Sequence, residues 1–387
     1  MTDQSVSEYL ALFPEARLRA LVERADGAAV ERALAREERT LEDFAALVSP
    51  AARPYLERMA REAQRLTRWH FGRTISLYAP IYLSNLCAAD CVYCGFAAKS
   101  GSREKRITLG EREIRAECEA LAGQGFESVL LLTGEAPKTV SPAYIARGIE
   151  IAREYFAGVS AEVYAVDEAD YERFVEAGLE GITLYMETYH RPTYSRVHLM
   201  GGKADYDYRL EALERAGRAG VRKLNLGALL GLFDWRLEAL WLGLHAKHLQ
   251  RECWQSALGI SFPRLIHTPE RYAIAQPVSD VDLVQCMLAV RLFLPEVAFN
   301  LSTREHPDFR DKLIPLGVTH MSAGSSTQPG GYATYRRGEA DERTNFREVL
   351  EQFEIEDHRP VPEVVAAIRR AGYDPVWKDY DHAFDRR

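Results

Sequence analysis

The chain has 387 residues, 47% of them hydrophobic, and a formal net charge of −8. That length permits one large α/β barrel with additions or two ordinary domains, and the acidic balance is the reverse of the clustered basic charge that nucleic acid requires. No apolar run approaches the roughly 18 residues of a membrane span, so a cytoplasmic protein is predicted, with small molecules and proteins as partners, no nucleic acid and no membrane.

Residues 1–72 are rich in Ala, Arg and Glu and read as a helical N-terminal segment, with Leu41, Phe44, Ala45 and Leu47 spaced as one apolar face. No chemistry is visible there, and the mixed charges read as a solvated surface. From Thr74 strand-like runs alternate with helix-length amphipathic segments, the pattern of repeated βα units over a parallel sheet. Eight strands are predicted, near 74–84, 127–132, 161–166, 181–186, 223–229, 257–263, 296–302 and 317–321. Helix starts are marked by Thr108-x-x-Glu111, by Ser141-Pro142 and by Ser279-x-x-Asp282. Eight βα units predict a closed (β/α)₈ barrel of the TIM type over 73–326, with 327–387 as a C-terminal extension packed on it. In such a barrel the active site lies at the C-terminal ends of the strands, where the βα loops gather.

The predicted strand ends carry the groups of interest. After the first comes Cys87-Ala-Ala-Asp-Cys91-Val-Tyr-Cys94, three thiols within eight residues. A disulfide is disfavoured in a cytosolic setting, and a structural zinc site wants a fourth close Cys or His, where only the isolated Cys118 follows within a hundred residues. An iron–sulfur cluster usually takes four thiolates, so three would leave one iron open to a substrate or cofactor. Cys118, Cys253 and Cys286 stand singly in helix-like segments and read as small buried hydrophobes.

The second strand ends in Thr133-Gly134-Glu135, where a glycine allows close backbone approach and a carboxylate can accept from an ammonium. Glu187 opens a long segment to about residue 205 that contains Tyr194, His198 and Gly201-Gly202; loops of that length are often functional. Gly227, after the fifth strand, suits either the approach of an adenine or ribose or tight strand–helix packing. Arg264, Arg304 and Ser322 follow strands six, seven and eight, which brings two guanidinium groups to one barrel mouth.

The Cys spacing, with Tyr93 just before the last thiol, resembles the signature of the radical S-adenosylmethionine (SAM) enzymes. Further segments narrow this: Leu-Leu-Thr-Gly-Glu135, Glu187-Thr-Tyr-His190, Asp205-Tyr-Asp-Tyr-Arg209-Leu-Glu211, Trp254-Gln-Ser, Phe262-Pro-Arg264-Leu, Leu301-Ser-Thr-Arg304-Glu305, Gln328-Pro-Gly-Gly-Tyr332 and Pro375-Val-Trp-Lys-Asp379. From about residue 60 onward the chain is similar to the ThiH family, the radical SAM 2-iminoacetate synthases (tyrosine lyases) of bacterial thiamine biosynthesis. The family more usually has Gln where Met186 stands, and Met cannot make the amide's hydrogen bonds.

The resemblance implies a [4Fe-4S] cluster on Cys87, Cys91 and Cys94, with SAM chelating its open iron and contacted by Tyr93, Gly134, Glu135, Glu187 and Gly227. It implies that a 5′-deoxyadenosyl radical formed from SAM abstracts hydrogen from the amino group of L-tyrosine. The Cα–Cβ bond then breaks to give 2-iminoacetate (dehydroglycine) and p-cresol. Arg304 is the expected carboxylate clamp, because a guanidinium offers a bidentate fork, with Ser322 as second donor. Arg264 is the reserve clamp, or else holds the mouth together through Glu305. A low-potential electron donor such as flavodoxin or ferredoxin and the thiazole synthase ThiG are the implied partners. Three other readings stay open. The tyrosine lyase of [FeFe]-hydrogenase maturation carries a second cluster on a C-terminal extension, whereas no Cys follows Cys286 here. A tryptophan lyase differs only in ring recognition, and a zinc-stabilised scaffold would not turn over.

Overall fold

Strand β1 (Thr74–Ser84) is the longest and lies at the closure of the barrel. It is followed by β2 (Ser128–Thr133), β3 (Gly158–Glu162), β4 (Gly181–Thr183), β5 (Lys223–Gly227), β6 (Ala257–Ser261), β7 (Ala298–Leu301) and β8 (His320–Ser322). Each pairs in parallel with the next, and β8 returns to β1 with Ser76 opposite His320 and Tyr78 opposite Ser322, so the sheet closes on itself. This computed structural model describes residues 4–100, 105–333 and 349–378; Asp379, which ends the Pro-Val-Trp-Lys-Asp segment, lies outside the described residues. The protein is an eight-stranded parallel barrel wrapped by helices, with N-terminal helices and a C-terminal extension.

Several boundaries differ from the sequence reading. The third strand begins at Gly158 rather than 161 and ends at Glu162, and the apolar Val163, Tyr164 and Val166 are buried in the loop that follows it. The eighth starts at His320, after a turn at Gly317 whose φ of 117° favours glycine. Thr108 caps no helix: its hydroxyl bonds Ser84, and helix Glu111–Ala122 starts instead from Gly110, whose N–H donates to Glu113. Ser141 and Ser279 do cap their helices. The stretch after Glu187 is not all loop, since it forms helix Arg191–Val197 and a short turn of helix at Gly202–Ala204.

A ninth strand, β9 (Asp374–Val376), was not foreseen. It pairs with β1 at Thr74–Ser76. Ser76 pairs with both β8 and β9, so β9 occupies the side of β1 that β2 takes higher up. Trp377 then packs edge-on against Phe126 at 5.3 Å.

The N-terminal helices cover the outer helices of the barrel. In Leu41–Val48 all five residues from Phe44 to Val48 are buried, a wider apolar surface than the predicted single face, because the helix is packed between neighbours. Phe44 stacks on Phe293 at 4.4 Å, and Gln285 reaches out of helix Asp280–Phe293 to donate to the carbonyls of Leu47 and Ser49. The extension is anchored by charge: buried Asp357 binds Arg310 and also Arg359, which reaches Asp311 at 3.0 Å. Arg310 also donates to the Ser322 carbonyl at 2.6 Å, so this anchor fixes the end of β8.

The barrel interior is polar in its middle layer. Asn225 donates to Thr183 and Ser261, and Asn300 donates to Asn225. Above that ladder a cavity of about 860 Å³ opens at the C-terminal ends of the strands.

Candidate active site

The cysteine loop leaves β1 through a set of buried polar bonds that fix its course. The Asn85 side chain accepts from Ile107 N–H at 2.6 Å and donates to the carbonyls of Lys105 and Leu350. Arg106 donates to the carbonyls of Asn85, Phe96 and Ala97, tying the two ends of the loop together. Arg271, from the segment after β6, holds Asp90 and the Cys91 carbonyl, each at 2.8 Å. An arginine's planar fork suits such multiple anchoring.

Gly134 lies beneath this loop. A Cβ there would sit 2.2 Å from the Leu86 carbonyl oxygen and 3.0 Å from the Cys87 Cβ. The close backbone approach expected at this glycine is therefore to the cysteine loop itself. Gly134→Ala is expected to cost about 1–3 kcal/mol, as overpacking does, and to lower iron uptake. Unfolding in denaturant and iron content after anaerobic reconstitution measure both, and unchanged values would remove this role.

Burial, and then each other's proximity, push the Cys94 thiol up to about 12, while burial pushes Cys91 up to about 11 and raises Cys87. Lys203 acts against the rise at all three. Metal binding must therefore displace protons here, and affinity rises with pH. No three His, Cys, Asp or Glu side chains among the described residues converge as ligands of a single ion. A four-iron cluster, whose thiolates each take a different iron, does not ask them to converge. Three soft donors on one anchored loop, with Cys94 lining a deep cavity, fit such a cluster.

Above the cysteines, Glu187 has φ 66°, the only positive value at a non-glycine among the described residues. Such a conformation costs of order 1–3 kcal/mol and marks functional sites when surrounding contacts enforce it. The backbone is held there by Leu229 N–H, which donates to the Glu187 carbonyl at 2.8 Å, and the side chain by Lys203 Nζ at 2.6 Å and Arg209 at 3.6 Å. Tyr93 bonds His198 Nε2 at 2.7 Å, and the other ring nitrogen meets the Tyr194 carbonyl. A carbonyl only accepts, so Nδ1 carries the hydrogen and Nε2 accepts from the Tyr93 hydroxyl. Burial, then the Lys203 and Arg209 charges, push His198 down to about 2, which keeps the ring neutral. Glu135 accepts from the Gly202 N–H, closing the segment after β4 over the loop.

The cavity wall carries Tyr78, Glu162, Tyr185, Arg304 and Ser322 together with Cys94. Arg304 stacks on Phe353 with its guanidinium 4.0 Å from the ring centre, and no carboxylate among the described residues pairs with it. Ser322 Oγ is buried beside the Tyr78 phenol without a hydrogen-bond partner of normal geometry. Both are open for a ligand.

Two residues take the second of the roles the sequence left open for them. Arg264 is spent on Glu305 (2.9 and 2.6 Å), Asp280 and the Val278 carbonyl, so it braces the mouth and is not a clamp. Gly227 is needed by Tyr185, whose ring carbon would lie 2.4 Å from a Cβ there, so the close approach at this glycine is made by the protein's own packing. Met186 is buried in the core, and the position carries no polar role here. Cys118, Cys253 and Cys286 are buried away from the loop. Glu162, Lys203 and Arg209 were missed as site residues. An acidic residue ending a strand was the available signal for Glu162, and the late placement of β3 hid it.

The model of the Radical SAM superfamily matches residues 81–240, and that of the Biotin and Thiamin Synthesis associated domain matches residues 261–374. Over 358 residues the chain is 46% identical to the 2-iminoacetate synthase of Escherichia coli, covering 92% of each. The chain belongs to the 2-iminoacetate synthase family. The Salmonella typhimurium 2-iminoacetate synthase is 44% identical over 353 residues, 91% of this chain and 90% of that one. Among solved structures, the FeFe-hydrogenase maturase HydG from Carboxydothermus hydrogenoformans superimposes with a TM-score of 0.87 at 27% identity, over 97% of this chain and 86% of the maturase. A 2-iminoacetate synthase is a radical SAM enzyme of thiamine biosynthesis.

Proposed function

We propose that this 2-iminoacetate synthase cleaves the Cα–Cβ bond of L-tyrosine to 2-iminoacetate and p-cresol, with SAM consumed to methionine and 5′-deoxyadenosine. The observation that carries the reading is a cavity with a three-thiol loop at one side and an unpaired Arg304 on its wall. When bound, a [4Fe-4S] cluster on Cys87, Cys91 and Cys94 together with SAM supplies the radical that starts the cleavage. The rest is work of the chain's own side chains.

Arg304, preoriented by Phe353, offers two parallel N–H donors to the substrate carboxylate, and Ser322 Oγ offers a third. Glu135 and Glu187 stand on the cluster side, where carboxylates suit the ammonium or ribose hydroxyls of SAM; Lys203 and Arg209 hold the Glu187 carboxylate in place for that role. Tyr93 is held over the loop by neutral His198. Walls of Tyr78, Tyr82 and Tyr185 exclude water from the reacting atoms. Electrons come from a low-potential donor such as flavodoxin or ferredoxin, and the imine passes to the thiazole synthase ThiG in the cytoplasm.

Anaerobic turnover of the reconstituted protein with SAM, a reductant and each aromatic amino acid tests this. Tyrosine should give 5′-deoxyadenosine, p-cresol and glyoxylate, the hydrolysis product of the imine. Product from tryptophan alone, or cyanide and CO alongside p-cresol, would overturn the assignment, and no SAM cleavage would overturn the cofactor set.

A further inference from the structure

Glu162, the last residue of β3, points into the cavity with no hydrogen bond or ion pair to any described residue. Glu162 is half-buried, and a carboxylate drawn that far out of solvent without a protein partner calls for an explanation. Other acids around the cavity are engaged or at its edge: Glu187 pairs with Lys203, Glu305 with Arg264, and Glu354 is on the exposed rim. Three protein phenols are close enough to Glu162 to feel its charge, those of Tyr78, Tyr82 and Tyr185, yet none donates to it. That of Tyr82 is turned to Gln352 at 2.7 Å.

Position supplies the rest. In a closed ring of eight strands, β3 and β7 are four apart and face each other across the barrel. Arg304 follows β7 and is near enough to influence Glu162 electrostatically, but the two do not form an ion pair, so a gap separates them. A tyrosine whose carboxylate sits on Arg304 keeps its amino group near that wall, because the two share one carbon. That leaves its ring to extend across the cavity toward β3.

We propose that Glu162 accepts the hydrogen of the substrate's para-hydroxyl and thereby selects tyrosine over phenylalanine, an inference that rests on tyrosine being the substrate. A site built to hydrogen-bond a hydroxyl rejects the analogue lacking it, because its own polar group is then left unpaired. Burial, then the Glu187 charge, raise the Glu162 carboxyl to about 7 against the pull of Lys203, Arg304 and Arg209. A phenol hydrogen bond would stabilise the charged form that burial penalises.

The test is binding by the reconstituted protein with SAM, measured calorimetrically with L-tyrosine, L-phenylalanine and 3-(4-hydroxyphenyl)propionate, which lacks the amino group. Glu162→Leu should weaken tyrosine and the hydroxyphenylpropionate by about tenfold to a hundredfold, the range for a hydrogen bond to a charged group, and leave phenylalanine no weaker than before. Glu162→Gln, which keeps shape and a weaker acceptor, should lower the tyrosine-to-phenylalanine preference severalfold, and it carries the test if the Leu variant does not fold. An unchanged preference in Glu162→Gln would overturn the proposal. So would equal losses on tyrosine and phenylalanine with the hydroxyphenylpropionate unaffected, which would assign Glu162 to the amino group. Failure of the wild-type protein to bind tyrosine at all would instead remove the substrate reading on which the inference rests.

Discussion

Ser in place of Cys87, Cys91 or Cys94 is expected to abolish SAM cleavage, whereas Ser at Cys118, Cys253 or Cys286 leaves it in place. A hydroxyl is a hard, weakly acidic ligand where iron and sulfide call for a soft thiolate. The loop itself should persist in these variants, because its course is fixed by Asn85, Arg106 and Arg271 through backbone and carboxylate contacts that do not involve sulfur. The other three thiols are buried. Placing a hydroxyl there is expected to cost about 1–3 kcal/mol where it finds no partner, which lowers stability without touching the cluster. Iron and sulfide per chain, together with 5′-deoxyadenosine formation, separate the two sets. Wild-type cluster content in any of the three loop variants would refute the assignment. The raised thiols add a sign: each must lose its proton to bind, so assembly strengthens as pH rises toward the about 11 of Cys91, and weakens as pH falls.

How far such a site is readable before folding depends on whether its signal is local. β1 was legible to the residue because eleven consecutive positions alternate or run apolar between two breaks, and the cysteines were legible because three ligands share one loop. Glu187 could be suspected from the length of the following segment, but its left-handed backbone could not, since the contacts around it come from Lys203, Arg209 and Leu229, well downstream. Arg264 and Arg304 follow strand ends in the same way in sequence. Only packing separates them, by giving the first Glu305 and Asp280 and leaving the second against Phe353. Glycines raise the same difficulty: Gly134 and Gly227 announce close approach without saying of what, and both serve the protein's own chain. The ninth strand was missed because a three-residue edge containing Pro375 has no periodicity to detect.

Arg304→Lys should raise the tyrosine concentration needed for half-maximal turnover while cluster content and binding of SAM stay at wild-type values. The Arg304 guanidinium is held by stacking on Phe353, so its fork is fixed before the substrate arrives and little freedom is lost on binding. Lysine keeps the charge but presents a single ammonium on a flexible stem, and it loses the second parallel hydrogen bond. The expected loss is on the order of 1.5–3 kcal/mol, the range for a hydrogen bond to a charged group, which corresponds to about tenfold to a hundredfold in tyrosine. Arg304→Ala should lose at least as much, and the nearby Ser322→Ala less, because a neutral hydroxyl donates a weaker bond. The same substitution at Arg264 has a different expected signature. Its loss leaves Glu305 buried without a partner, so Arg264→Lys should lower stability while any chains that remain folded keep their tyrosine requirement. Measuring the tyrosine dependence and the denaturation midpoint of both variants separates clamp from brace. If Arg304→Lys leaves the tyrosine dependence unchanged and Arg264→Lys shifts it, the two roles assigned from packing are reversed.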